Sequence, residues 1–163
     1  MTNVLLAIDG SFYGKIISDF VVNHLWASRT QFKLVNVIDP LADDVYPEAS
    51  FECAASDAAK ALLQEMTTRI HLALPDSDVS QLIRHGDPKE ELLKEATEWP
   101  ANLLVLGSHG CRDLKRVLLG SVSLSVMTSA PCTVILVRVP QKNLEAIAAA
   151  SARLDAAKNL RCS

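Results

Sequence analysis

Aromatic residues make up only 5% of this 163-residue chain, so its core has to be built from Leu, Val, Ile and Ala. Its four cysteines, Cys53, Cys111, Cys132 and Cys162, lie far apart with no Cys-x-x-Cys pair, which argues against a disulfide framework and against a zinc site. No apolar run approaches the roughly 18 residues of a membrane span. Met1-Thr2-Asn3-Val4 carries no basic leader, so no signal peptide is expected. There is no basic excess either: 16 Lys and Arg stand against 19 Asp and Glu, a net charge of −3. Nucleic-acid binders usually show the opposite balance, so none is expected as a partner. With 21% charged and 49% hydrophobic residues, the chain is not disordered as a whole. It reads as one reduced, soluble, cytoplasmic domain that buries about two-thirds of its unfolded surface.

What is present is an alternation of short apolar runs and helical periods. Val4 to Ile8 is apolar on both sides and ends at Asp9-Gly10-Ser11, the mark of a buried parallel strand. A helical period follows through Tyr13, Ile16, Ile17, Phe20, Val21, His24 and Leu25. Phe32 to Ile38 is the second strand, closed by Asp39-Pro40. The acids Asp39, Asp43, Asp44 and Glu48 could hold a cation, but a solvated loop is the expected reading. A long helix over about 50–73 carries the stripe Ala55, Ala58, Ala59, Leu62, Met66 and Ile70. The third strand, Val79 to Arg84, is half polar. His85-Gly86-Asp87-Pro88 then turns into a helix, with Asp87 at the N-cap, Pro88 first and Glu90 third, a capping box. Leu103 to Leu106 is the fourth strand, a short helix spans about 121–128, and Thr133 to Val137 is the fifth strand. Strands alternating with helices predict an α/β fold, a parallel sheet covered on both faces as a three-layer sandwich. Residues 1–140 form the domain and 141–163 an Ala-rich helical tail with a thin apolar stripe.

Ligands in open parallel sheets sit at the carboxyl ends of the strands. Asp9 and Asp39 lie there, and so does Gly107-x2-Gly110-x9-Gly120-Ser121 directly after strand four. Glycines let backbone N–H groups close on an oxyanion. Gly120-Ser121 opens a helix whose unpaired N–H groups carry positive partial charge. With the Ser121 and Ser123 hydroxyls this makes a phosphate cradle, and Arg112, Lys115 and Arg116 could add positive potential. The P-loop pattern and the G-x-G-x-x-G fingerprint are both absent. A response regulator would need several acids at strand one, where only Asp9 stands.

That spaced motif resembles the nucleotide-binding signature of the universal stress protein family. Val4 to Ser11, Asn36-Val37-Ile38-Asp39, Gly86-Asp87-Pro88, Gly107-Ser108-His109-Gly110, Leu119 to Ser123 and Ala130-Pro131-Cys132 are similar to that family too, so the resemblance spans residues 1 to about 139. It implies a five-stranded sheet in the order 3-2-1-4-5, with ATP lying across strands one and four. Asp9 then sits near the ribose and phosphates, where it could meet Mg2+ carried by ATP, and Ala7 lies in the same strand end. The Val37 backbone reads the adenine edge. Gly107, Gly110, Gly120, Ser121, Val122 and Ser123 make the phosphate and ribose contacts. Phe12-Tyr13-Gly14 is bulkier than the family's usual small residues and would narrow the mouth of the site.

Hydrolysis of ATP needs a placed metal and a group that orients water. No second carboxylate is evident beside Asp9, and His24, His71 and His85 are scattered. His109 in the glycine loop and Cys111 beside Arg112 read as structural residues. The preferred function is therefore an ATP-binding regulatory protein of the stress-response type, a homodimeric switch or scaffold for an unknown protein partner. The alternatives are a slow ATPase or self-phosphorylating protein, and an interaction module whose nucleotide site is incidental or lost. Strand five, Val134-Ile135-Leu136-Val137, is an uncharged edge and invites pairing with its own copy, unless the tail folds back over it.

Overall fold

The computed structural model describes residues 1–10, 12–40, 48–108 and 119–138. The tail over 141–163 lies outside them. Among the described residues the order is β1 (Asn3–Ala7), α1 (Phe12–Val22), β2 (Gln31–Ile38), α2 (Glu48–Ala73), β3 (Asp78–His85), α3 (Pro88–Glu98), β4 (Leu103–Gly107), α4 (Ser121–Ser129) and β5 (Thr133–Val137). The strands form one five-stranded sheet in the order β3-β2-β1-β4-β5, and every pairing is parallel. The α/β class and the strand order therefore stand as expected. No helix among the described residues is long and apolar enough to cross a membrane.

Successive side chains of a strand point to opposite faces, so each strand feeds two cores. Val4, Leu6, Phe32, Leu34, Val105 and Val137 pack with Ile17 and Val21 of α1 and Leu63, Met66 and Ile70 of α2. Leu5, Val35, Leu104 and Leu106 pack on the other face with Leu92 and Ala96 of α3 and Val126 of α4. Among the described residues, twelve buried ones make the first cluster and seven the second, so these parts of the two faces are sealed unequally.

Two stripes differ from the expected ones. The apolar period of the first helix was expected to run on to Leu25, but α1 ends at Val22 and Leu25 is 100% exposed. The reason lies in the terminal carbonyls, which need partners once the helix stops. Asn23 Nδ2 donates to Asp19 O at 2.7 Å and Trp26 Nε1 to Val21 O at 2.8 Å. The Trp26 ring then stands edge-on to Phe32, 5.2 Å between centroids, and does the covering expected of Leu25. On α2 the deepest positions are Ala59, Leu63, Met66 and Ile70, while Ala58 is exposed. The buried line runs at the helical spacing 59, 63, 66 and 70, so Leu63 and not Leu62 lies at its centre.

α3 begins with the expected cap and proline, Asp87 accepting from Lys89 N at 2.7 Å and Pro88 opening the helix, but the Glu90 half of the expected capping box is not formed. Its docking was not expected. Glu95 is 3% exposed on the face that meets the sheet. Lys33 Nζ of β2 donates to it at 2.8 Å and Arg84 Nη2 of β3 at 2.6 Å. Arg84 also reaches Glu98 at 3.0 Å, and Lys33 stands 4.6 Å over the Trp99 ring. Burial pushes the Glu95 carboxyl up, but the hydrogen bonds from Arg84 and Lys33 outweigh it and hold the group below its ordinary range. The hydrogen bond to Glu95 is also the chief reason that the Arg84 guanidinium is held above its ordinary value. On the opposite face Arg69 of α2 pairs with Asp19 of α1.

Candidate functional site

Strand order reverses between β1 and β4, and the strand ends part there. The last β1–β2 pair is Ala7↔Val35, while β2 runs on to Ile38. Ile8 N donates to Val35 O at 2.8 Å, so the backbone polar groups of Val35 face β1. Alternation along a strand turns those of Val37 to the same side, where β1 has already left the sheet. The carbonyl that Ile8 would offer there accepts from Asn36 Nδ2 at 2.8 Å instead. Val37 thus presents an N–H and a C=O side by side at the sheet's upper edge.

On the other side of the switch point, β4 ends in Gly107. Ser108 N donates to Val137 O, and Gly120 N donates to Ser108 O, both at 2.9 Å. These two bonds bring the start of α4 back over the end of β4. Gly120 is the N-cap with extended backbone, φ −66° and ψ 155°, and makes no side-chain cap. The first N–H groups of α4 therefore have no intrahelical acceptor and point outward from a helix end of positive partial charge. Ser121 is exposed there, whereas Ser123 is buried and donates its hydroxyl to Gly107 O at 2.7 Å. Ser123 ties α4 to β4, and its proton is committed to that bond.

The bulky first turn of α1 closes the back of this junction. Tyr13 is 4% exposed and packs against Gly107. A Cβ at Gly107 would meet Tyr13 Cδ1 at 2.8 Å and Tyr13 Cβ at 2.9 Å, distances that real side chains do not tolerate. The glycine is thus required by a tyrosine of this chain, whatever ligand the site takes. Gly107→Ala should cost about 1–3 kcal/mol by overpacking. Combined with Tyr13→Ser it should cost clearly less than the sum of the two single changes. Chemical denaturation of the three variants measures this, and strict additivity would refute the contact.

A cavity of about 370 Å³ opens at this edge, within the usual range for small-molecule sites. Its lining includes the apolar side chains of Val37, Leu92, Leu106 and Pro88 together with Gly120, Ser121 and Asp9. Of the residues singled out in the sequence, Ala7, Asp9, Val37, Gly107, Gly120, Ser121, Val122 and Ser123 all line it. Gly110 lies outside the described residues, as do Ser11, His109, Cys111, Arg112, Lys115 and Arg116. Asn36, Asp39, Asp87, Lys89 and Leu92 also line the cavity and were not chosen from the sequence as site residues. Asp39 had a signal, its place just after a strand. Asp87 had one as well, in Gly86-Asp87-Pro88, whereas Lys89 and Leu92 had none, because only the tertiary fold brings the first turn of α3 over β2. Among the described residues no cluster of His, Cys, Asp and Glu is built to hold a metal by itself.

The sequence pattern of the Universal stress protein family matches residues 1–138. A Staphylococcus aureus (strain USA300) protein that carries the universal stress protein name is 30% identical over 145 residues, 85% of each chain. Among solved structures, hypothetical protein MJ0577 superposes with a TM-score of 0.78 at 25% identity, covering 86% of this chain and 97% of its own. An Arabidopsis thaliana universal stress protein family member with AMP bound has a TM-score of 0.66 at 18% identity, covering 88% and 95%. A universal stress protein in complex with cAMP has a TM-score of 0.60 at 22% identity, covering 85% and 98%. The strand order, the spaced glycines and the match over most of the length agree: the chain belongs to the universal stress protein family.

Proposed function

We propose that this protein binds an adenine nucleotide, with ATP and its Mg2+ the expected form, and acts as a nucleotide-dependent regulatory protein rather than as an enzyme. The observation that carries this reading is a single cavity joining the open backbone edge of Val37 to the start of α4. Adenine offers an acceptor beside an amine donor on one edge, which complements an adjacent N–H and C=O. Val37, Leu92, Leu106 and Pro88 supply apolar contact for its faces. The N–H groups opening α4 suit phosphate oxygens. Asp9 and Asp39, which line the same cavity, suit a divalent cation brought by the phosphates. The AMP and cAMP complexes of proteins with this fold support the ligand class. Titration calorimetry of the full chain with ATP, AMP and cAMP, each with and without Mg2+, tests the reading. Saturable binding of ATP is expected, and absence of binding for all three refutes it.

The switch is proposed to be a homodimer joined through β5. β3 and β5 are the two edges of the sheet. β3 is mostly polar, with Ser80 and Gln81 engaged by Phe32 O and Thr67. On β5, Val137 O accepts from Ser108 N, so the odd-numbered residues face β4. Val134 and Leu136 therefore turn their N–H and C=O to the outer edge, while the side chains of Val134 to Val137 lie against the helical layers. Substituting charges into these side chains would injure the core, so the backbone is the better target. Val134→Pro removes one outward N–H and no bond to β4. Light scattering should then report a folded monomer where the wild type is a dimer. A monomeric wild type at high micromolar concentration would refute the pairing.

A further inference from the structure

The Arg84 guanidinium is only partly engaged. Its Nη2 serves Glu95 and Glu98, but its Nε is buried and has no hydrogen-bond partner. Native structures rarely leave such a donor unpaired. The carboxylate facing it belongs to Glu91, whose Oε2 lies 3.9 Å away, beyond hydrogen-bond range. Both partners are largely shielded from water, with 28% and 21% of their side chains exposed. Arg84 is the register partner of Val37 in the β2–β3 ladder. Glu91 immediately precedes Leu92, a wall of the cavity, and the same helix contributes Pro88 and Lys89. The helix hangs from Gly86, whose φ of 138° only glycine adopts freely and whose Cα faces the Glu91 side chain.

We propose that Arg84 and Glu91 are positioning residues for ligand binding: α3 has a second position, closed onto the sheet, in which Glu91 Oε2 completes the Arg84 fork, and a nucleotide in the cavity selects it. This rests on the nucleotide reading of the cavity. The movement required is small, about 1 Å, the difference between the present separation and a normal hydrogen bond. Closure brings Pro88 and Leu92 against the base and engages a second donor atom of Arg84, its Nε, with a carboxylate. The ligand drives it because it touches α3 and the sheet together, and so binds the closed arrangement better. Gly86 supplies the hinge at one end of the helix, and the ion pairs of Glu95 and Glu98 hold the rest of it through the change.

The test uses the full chain labelled with 15N, reading the Arg84 Nε–H resonance, which is assigned by its loss in Arg84→Lys. Saturating ATP should move this proton downfield and slow its exchange with water at least tenfold. Glu91→Gln, which keeps an acceptor but loses the charge, should at least halve both changes and weaken ATP binding about fivefold, with the melting temperature unchanged. Glu98→Gln, whose pair already exists in the open position, should keep both changes and bind ATP within twofold of wild type. If ATP binds by calorimetry while the Arg84 proton stays unmoved, closure is overturned and the nucleotide site stands. If Glu98→Gln weakens binding as much as Glu91→Gln, general docking of α3 is responsible and the assignment to Glu91 is overturned. If ATP, AMP and cAMP all fail to bind, the nucleotide reading falls and ligand-driven closure falls with it. Should Glu91→Gln not fold, the wild-type resonance still decides.

Discussion

Gly120→Val should lower ATP affinity by more than tenfold, about 1.4 kcal/mol, and leave the fold intact. Gly120 is buried at the N-cap of α4, where on the proposed nucleotide reading the backbone would approach a phosphate closely. Its φ of −66° and ψ of 155° are ordinary extended values that valine adopts without strain. Its N–H, bonded to Ser108 O, is kept in the variant. The branched side chain should therefore obstruct the ligand more than the chain itself. Calorimetry gives the affinity and circular dichroism the fold. Unchanged affinity would remove the start of α4 from the site, and loss of fold would make Gly120 a packing residue.

A marked loss of stability should come from Glu95→Ala. The change strands Lys33 and Arg84 beside one another without the carboxylate that both address. A fully buried pair broken on one side costs about 3–5 kcal/mol, but 19% and 28% exposure leaves these cations partly hydrated. A cost of about 2 kcal/mol follows, or roughly 6 °C in Tm for a chain of this size. The pH dependence has a definite sign. The folded carboxyl titrates below its ordinary value of 4.5. Its stabilisation is thus complete above the unfolded value and is lost as pH falls through the lower, folded one. Thermal melts between pH 7 and about 3 should show the wild type losing stability in acid more steeply than Glu95→Gln. Parallel curves would mean that Glu95 adds nothing ionic to the docking of α3.

The sheet was legible because a parallel strand covered on both faces needs apolar residues without alternation, and Val4 to Ile8, Leu103 to Leu106 and Thr133 to Val137 all have them. The start of α3 was legible because a cap is local chemistry, with Asp87 and Pro88 adjacent in the chain. The strand order came through the family resemblance and not through the pattern of elements. Glu95 could not be read, since an acid in a polar helix looks solvated until a lysine 62 residues away and an arginine from β3 are seen to meet it. Tyr13 was noticed for its bulk, but its coupling to Gly107 is a contact between first-turn helix and strand end that no spacing encodes. The end of α1 was misread because the Asn23 amide and the Trp26 indole take over the last carbonyls, and periodicity carries no record of such bonds.

The unequal sealing of the two faces makes the molecule respond to solvent in two ways at once. The α1/α2 side is closed chiefly by apolar burial, which sulfate and other excluded salts reinforce. The α3 layer leans on carboxylates and cations, which any salt screens where water reaches them. One addition therefore tightens one flank of the sheet while loosening the other. Amide protection should diverge between the flanks as salt rises, with α3 opening in smaller, earlier units than α1 and α2. The cavity touches both flanks, Tyr13 and Ile17 on one and Pro88 and Leu92 on the other, so whatever fills it acts as a rivet between them.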